Sequence, residues 1–320
     1  MTELLPPDAA GVARACALLR AGAVVALPTE TVYGLAGDAR NPQAVTAIYA
    51  AKGRPARNPL IVHVESLAAA EELAVLCAAA RTCARTFWPG PLTLVAPLRP
   101  GHGLAASVTA GLPDVALRVP AHPLAQRVLA GFGGPLAAPS ANPSGRISPT
   151  CAAHVMAGLD GRIAAVLDGG ACPVGVESTI LGFEDGRAVL LRAGGLSAEA
   201  LARVLGAPPD ALRASGPVVT APGQLASHYA PRAPVRLDVR APAQDEVWIG
   251  FGPGCDGAAL SLSERGDLAE AAARLFLVLH EADATGRAIA VAPVPEVGLG
   301  VAINDRLRRA AAPRPPAQEA

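Results

Sequence analysis

Lys52 is the only lysine in the chain, and it stands in Lys52-Gly-Arg54-Pro-Ala-Arg57-Asn58-Pro-Leu-Ile-Val-His63. A lysine and an arginine separated by glycine, stiffened by Pro55 and Pro59, suit an oxyanion or a polyphosphate. The guanidinium acts as a fork and the ammonium as a point charge. His63, at a strand end, fits a hydrogen-bonded structural imidazole or a ligand contact equally well. Further polar clusters occur at Thr29-Glu30-Thr31 with Tyr33, at Arg118, at Ser140-Ala-Asn142-Pro-Ser144-Gly-Arg146-Ile-Ser148, at Glu177-Ser178-Thr179, and at Arg192-Ala-Gly-Gly. Arg118 suits a bidentate carboxylate or an internal salt bridge. The Ser/Asn/Pro loop offers hydroxyl and amide donors to a phosphate or a sugar. None of these residues is an evident nucleophile or buried acid–base pair. Cations, hydroxyls and amides make a site that positions and stabilises phosphoryl chemistry without a covalent intermediate.

Familiar templates are missing. There is no G-x-x-x-x-G-K-[ST] loop, no H-E-x-x-H and no G-x-S-x-G. Gly252-Pro-Gly254-Cys-Asp-Gly257 matches G-x-G-x-x-G, but the strand-like Ala-Ala-Leu-Ser-Leu-Ser follows where a phosphate-binding helix should start. A glycine-rich hairpin turn is the better expectation. Six cysteines show no C-x-x-C pair or metal-finger spacing, so reduced thiols in a cytoplasmic protein are expected. No all-protein metal site is expected. The first residues lack a basic region and an apolar core, which argues against a signal peptide, and no apolar run of about 18 residues marks a membrane span. Charge is balanced at 27 basic and 27 acidic residues, which gives no electrostatic case for a nucleic-acid coat.

The elements that must position these clusters alternate between strand and helix. Helices are expected at 8–20, 41–51, 67–84, 123–131 and 196–205. Strands are expected at 23–27, 59–64, 92–97, 115–119, 136–139, 163–168, 178–183 and 188–192. Several strands lie too close for helical crossovers, so the expected fold class is α/β, with a twisted, open, mixed sheet. At 320 residues two cores are expected. The first unit spans 1–206. Residues 207–234 read as a Pro/Gly-rich linker that could serve as an active-site lid, because His228 and Tyr229 are unusual in a passive tether. A smaller α/β unit covers 235–311, and 312–320 reads as a disordered tail.

Taken in order, Pro28–Ala39, Lys52–His63, Trp88–Val95, Leu117–Ala125, Ala138–Thr150, Val176–Ile180 and Leu191–Gly195 resemble the YrdC-like family of L-threonylcarbamoyladenylate synthases. The paired signature Lys-x-Arg and Ser-x-Asn stands here as Lys52-Gly-Arg54 and Ser140-Ala-Asn142. His228-Tyr-Ala-Pro231 and Gly298–Ala311 resemble the longer, two-domain branch. The resemblance implies that ATP, L-threonine and bicarbonate give threonylcarbamoyl-AMP and pyrophosphate. The product would feed N6-threonylcarbamoylation of adenosine 37 in tRNA through a downstream threonylcarbamoyl transferase complex, with direct tRNA contact left open. By motif, Thr31, His63, Arg118, Ala138 and Ser178 would contact threonine. Arg54, Asn58, Ser140, Asn142, Ser148, Arg192 and Tyr229 would hold ATP, and Lys52 and Arg54 would be catalytic. Mg2+ would be bound mainly through ATP.

Two departures stand out. Ala221–Pro231 lacks the first tyrosine of the family linker and its basic neighbour, and Gly182 replaces a carboxylate. Two rival readings remain. A non-catalytic RNA-binding module of the same fold would need no threonine pocket. A carbamoyltransferase of hydrogenase maturation would carry zinc-finger cysteines.

Overall fold

The structure, a computed structural model, describes residues 1–211 and 228–313. Strand β1 (Glu3–Leu5) leads into α1 (Ala9–Arg20), whose first turn is capped by the Asp8 carboxylate accepting the Gly11 amide. The apolar run after it forms β2 (Val25–Leu27), and the chain returns antiparallel as β3 (Gly34–Asp38). Helix α2 (Pro42–Lys52) starts on its Asn41 cap and ends at Gly53, whose φ of 59° needs no side chain. Then come β4 (Ile61–His63), α3 (Leu67–Leu73), α4 (Ala78–Phe87), β5 (Leu92–Pro97), β6 (Asp114–Arg118), α5 (Pro123–Phe132) and β7 (Leu136–Ala137). The first unit continues through α6 (Ala152–Leu159), β8 (Ala165–Leu167), β9 (Thr179–Glu184), β10 (Arg187–Arg192), α7 (Ala198–Leu205) and β11 (Asp210–Ala211).

Among the described residues these strands form one mixed sheet in the order β1-β8-β2-β3-β7-β4-β6-β5-β9-β10-β11. The mixed α/β expectation is borne out. Alternation sorts its two faces. Val62, Leu117 and Leu181 enter the main core beneath α2, α3 and α4. Ile61, Ala116 and Ile180 form a small apolar cluster on the opposite face. That second face carries His63 and Arg118, one pleat further on.

Past residue 227, β12 (Val235–Arg236), β13 (Glu246–Gly250), β14 (Leu260–Ser261), α8 (Leu268–Ala284), β15 (Ala288–Val291) and α9 (Gly300–Ala311) build a parallel sheet ordered β12-β15-β13-β14. Its core is continuous with Val32, Ile147 and Val176 of the first sheet's loops. Gly175 permits this docking: a Cβ there would lie 2.5 Å from Ala273 Cα, inside the backbone of α8.

Four sequence expectations need correction. The single helix over 67–84 is two helices, because the Val75 amide bonds Pro97 and the Arg99 amide bonds Leu73, which draws this stretch onto a strand edge. The glycine-rich hairpin is instead a tight connection between parallel strands, with Ile249 opposite Leu260. Gly250 suits that tightness, since a Cβ would sit 2.7 Å from Cys255 Cβ. β3 falls where the sequence predicts a loop; its glycines carry no strand preference, and its ladders to β2 and β7 impose the conformation. Lastly, the start of the expected linker is ordered as β11 against β10. Residues 212–227 of that linker and 314–320 of the expected tail lie outside the described residues.

Candidate active site

Strand register brings the first two site residues together. In the parallel pair β4–β6, His63 lies opposite Arg118, and both side chains leave the face that carries Ile61 and Ala116. Arg192 arrives by a different route. Leu190 packs toward the main core and Leu191 on the opposite face, so strict alternation would return Arg192 to the core side. The β9–β10 register slips between Leu190 and Arg192, and this bulge turns Arg192 into the same cavity as His63 and Arg118. Gly194 then lets the chain cross the neighbouring strand end, for a Cβ there would lie 2.3 Å from Glu177 O and 2.4 Å from Thr179 N.

The Thr29-Glu30-Thr31 turn is fixed by its own side chains. Thr29 Oγ1 accepts the amides of Thr31 and Val32 at 3.2 Å and donates to Val32 O at 2.6 Å. Thr31 Oγ1 lies 2.8 Å from Thr29 Oγ1 and accepts from Arg118 Nη1 at 2.9 Å. Glu30 takes the Ala121 amide on Oε2 and meets Arg118 Nη2 with Oε1 at 2.6 Å. That last contact is an ion pair without hydrogen-bond alignment, so Nη2 and Oε1 each keep an unused valence. The salt-bridge reading of Arg118 is thus realised, in a geometry that leaves a donor for a carboxylate. Burial raises the Glu30 carboxyl, but the Arg118 charge and hydrogen bonds outweigh it, so its pKa falls below the ordinary value.

The cavity is lined by Thr31, Arg54, His63, Arg118, Ala138, Ser140, Ser178, Arg192 and Tyr229, all expected from sequence, together with Glu177 and His228. Lys52, Asn58, Asn142 and Ser148 are not in its wall; Lys52, Asn58 and Ser148 hold residues that are, and the Asn142 side chain ties its own loop together. Lys52 Nζ donates to the carbonyls of Ser140 and Asn142. Asn58 O accepts from Arg54 Nε at 3.2 Å, and Asn142 Nδ2 donates to Arg146 O at 2.8 Å. Ser148 Oγ donates to Glu177 Oε1 at 2.6 Å. Burial, helped by the Arg54 charge, pulls Lys52 well below the usual lysine value. Burial also brings Arg54 to about 10, still cationic at neutral pH.

Sequence reasoning set Glu30, Glu177 and His228 aside from the binding set. The signal was present in the first two: each is a carboxylate inside a cluster otherwise made of hydroxyls. Among the described residues, the buried side-chain polar atoms without a hydrogen-bond partner belong to Glu30, Asn58, His63, Arg118, Asn142, His228 and Arg306. Every one lines this cavity or touches a residue that does. Unsatisfied buried groups are few in folded proteins, and their convergence on one place marks a candidate site for a polar ligand.

His63 and His228 are both held near 3, chiefly by burial and next by repulsion from Arg118 for His63, while Glu177 opposes the shift at His228. Both stay neutral in the fold while the unfolded chain protonates below its ordinary value of 6.5. Stability is therefore fully present above pH 6.5 and is lost as pH falls toward 3. Each imidazole should cost about 2 kcal/mol between pH 7 and pH 5. Calorimetric melting should show a lower Tm at pH 5, with a smaller drop in His63→Gln.

A mixed α/β sheet whose strand ends and adjoining loops gather Arg54, Arg118 and Arg192 with hydroxyls and a neutral histidine has a cationic cavity suited to an anion. The chain belongs to the Sua5/YciO/YrdC family, whose model, described under telomere recombination, matches residues 17–194. A second model, described as the threonylcarbamoyl-AMP synthase C-terminal domain, matches 196–312. The threonylcarbamoyl-AMP synthase of Bacillus subtilis is 40% identical over 335 residues, covering 98% of this chain and 96% of that one. The crystal structure of Pyrococcus abyssi Sua5 complexed with L-threonine superposes with a TM-score of 0.88 at 37% identity, covering 97% of both chains. Escherichia coli YciO shares the fold alone, at 19% identity and a TM-score of 0.54 over 61% of this chain and 95% of its own.

Proposed function

We propose that this protein condenses L-threonine, bicarbonate and ATP into L-threonylcarbamoyl-AMP and pyrophosphate. The convergence of orphaned buried donors and acceptors on one arginine-rich cavity carries the reading. Arg118 and Thr31 would take the threonine carboxylate, with His63, Ala138 and Ser178 around the rest of the amino acid. The amine of threonine and bicarbonate give a carbamate with loss of water. A carbamate oxygen then attacks the α-phosphorus of ATP, and the bond to pyrophosphate breaks. Arg54 and Arg192 would hold the phosphates, with Ser140 beside them, as Lys52 braces the Ser140–Asn142 loop beneath.

Among the described residues no three His, Cys, Asp or Glu groups gather as metal ligands. Glu177 in the cavity wall and Glu30 beside it are both committed to arginines. This donor set fits a Mg2+ carried on the phosphate oxygens of ATP, where it would spread the charge of the leaving pyrophosphate. No helix among the described residues is long and apolar enough to cross a membrane. The division at 1–206, 207–234 and 235–311, a cytoplasmic setting, and delivery of the product to a tRNA-modifying transferase belong to the same proposal.

The cavity holds about 50 Å3, well below the roughly 300–1,000 Å3 of small-molecule sites. Tyr229, at a left-handed φ of 60°, and His228 line the cavity where the adenosine of ATP would lie. Both must withdraw for ATP to enter and can close over it afterwards. Tyr229→Ala should raise the ATP KM about tenfold, by loss of stacking on the base, or release hydrolysed ATP without threonine. Unchanged kinetics would make the segment a tether only.

Pyrophosphate release, with threonine and bicarbonate omitted in turn, tests the whole reading. Release that needs both, with serine a poor substitute, is expected. Release without threonine would indicate another nucleotide chemistry. No release from folded protein with Mg2+ would favour the RNA-binding module.

A further inference from the structure

Arg306, on α9 of the second sheet's unit, has a side chain with no solvent exposure. Its Nε donates to Glu177 Oε2 at 3.0 Å, and its Nη1 donates to Ala193 O at 2.5 Å and to Asp305 Oδ2 at 3.0 Å. Its guanidinium carbon lies 5.6 Å from the centre of the Tyr229 ring, and its Nη2 is buried without a partner.

The two atoms it grips in the first unit have neighbours in the cavity wall. Glu177 precedes Ser178, and Ala193 follows Arg192. Ser178 O accepts from Arg192 Nε at 3.2 Å and from Nη2 at 2.8 Å, while Ser178 Oγ lies 2.7 Å from Thr93 Oγ1. Glu177 also receives the Ser148 hydroxyl, and its carbonyl receives the Gly195 amide at 2.9 Å. One guanidinium therefore spans both strand ends that carry Ser178 and Arg192, and faces the Tyr229 ring of the cavity wall.

Stability is a poor explanation for this cluster. A buried ion pair is commonly matched or bettered by apolar side chains of the same volume, and an unpaired buried donor is a cost. Both are tolerated where geometry is needed. Resting on the synthase reading, we propose that Arg306 is a positioning residue for the nucleotide. By holding the Glu177 carboxylate and the Ala193 carbonyl together, it fixes Arg192, whose guanidinium leans on the Ser178 carbonyl, against the phosphates. The second unit then completes the active site from across the domain boundary.

The test uses the full chain and three variants: Arg306→Lys, Arg306→Met, and Glu177→Met combined with Arg306→Met. Threonine and a non-hydrolysable ATP analogue are titrated separately, beside pyrophosphate kinetics and melting. Arg306→Lys keeps the charge opposite Glu177, but a single ammonium lacks the planar fork. It should fold, bind threonine within about twofold of wild type, and lose about tenfold in analogue affinity and ATP KM, with kcat within about threefold. Arg306→Met leaves Glu177 unpaired and should melt lowest of the three. The double variant should melt close to wild type yet stay about tenfold weak for the analogue. Wild-type analogue affinity in Arg306→Lys, or its return with stability in the double variant, would overturn the positioning role. A wild-type protein that binds neither threonine nor the analogue would overturn the synthase reading, and this inference with it.

Discussion

Arg118→Ala should weaken threonine binding about 10- to 150-fold, the equivalent of about 1.5–3 kcal/mol for a charge-assisted pair. It should also destabilise the fold by about 3–5 kcal/mol, because Glu30 would be left as an unpaired buried charge. The two effects have separate origins. Affinity depends on Nη2, which sits against Glu30 without hydrogen-bond alignment and so keeps a donor for the ligand. Stability depends on the pairing itself, since burial alone pushes Glu30 upward and only Arg118 and the hydrogen bonds bring it down. Combining Arg118→Met with Glu30→Gln should recover most of the melting temperature and none of the threonine affinity. Calorimetric titration at pH 7 reads the first effect and chemical denaturation the second. Unchanged threonine affinity in a folded Arg118→Ala protein would falsify the assignment of the carboxylate.

Gly194→Ala is expected to be nearly as damaging to activity, although it removes no functional group. The added methyl would lie 2.3 Å from Glu177 O, 2.4 Å from Ser178 C and 2.4 Å from Thr179 N. These are backbone atoms of a strand end, so no rotamer change relieves the overlap, and one of the two chains must move. A displacement of about 1 Å at Ser178 and Arg192 can cost about 100-fold in kcat/KM, with overpacking taking about 1–3 kcal/mol of stability. Gly186, also near β10 but with nothing close to its Cβ position, serves as a control for general glycine effects, its φ of 78° being the main strain there. Pyrophosphate release by Gly194→Ala at near-wild-type rate would show that the strand crossing has slack.

Much of this was legible in the chain because the signals were local. Asn41 and Pro42 mark the start of α2, the apolar run marks β2, and the polar clusters stand at or beside the ends of elements and contribute residues to the site. What stayed hidden depends on partners far away in sequence. Thr31 meets Arg118 across 87 positions and Glu177 meets Arg306 across 129, and no periodicity reports such pairings. Glu30 and Glu177 therefore read as oddities among hydroxyls until their arginines are in place. The bulge at Leu191 is similar: its residues alternate normally, and only the slipped ladder shows that Arg192 has changed faces. The break between α3 and α4 is hidden for the same reason, since a strand edge and not a proline or glycine ends the helix.

The separation of Glu177 from Arg306 also sets a schedule. A ribosome adding about 5–20 residues per second needs roughly 6–26 s to pass from one to the other. Throughout that interval the nascent first unit carries Glu177, just before β9, without its ion-pair partner and with only the Arg192 charge to offset it. Until residue 276 is made, Val32, Ile147 and Val176 also lack the Leu275 and Phe276 that share their core. A chain interrupted before α9 would hold most of its large sheet but neither the clamp on Glu177 nor the cation over Tyr229. Such unfinished chains would thus be poor consumers of ATP.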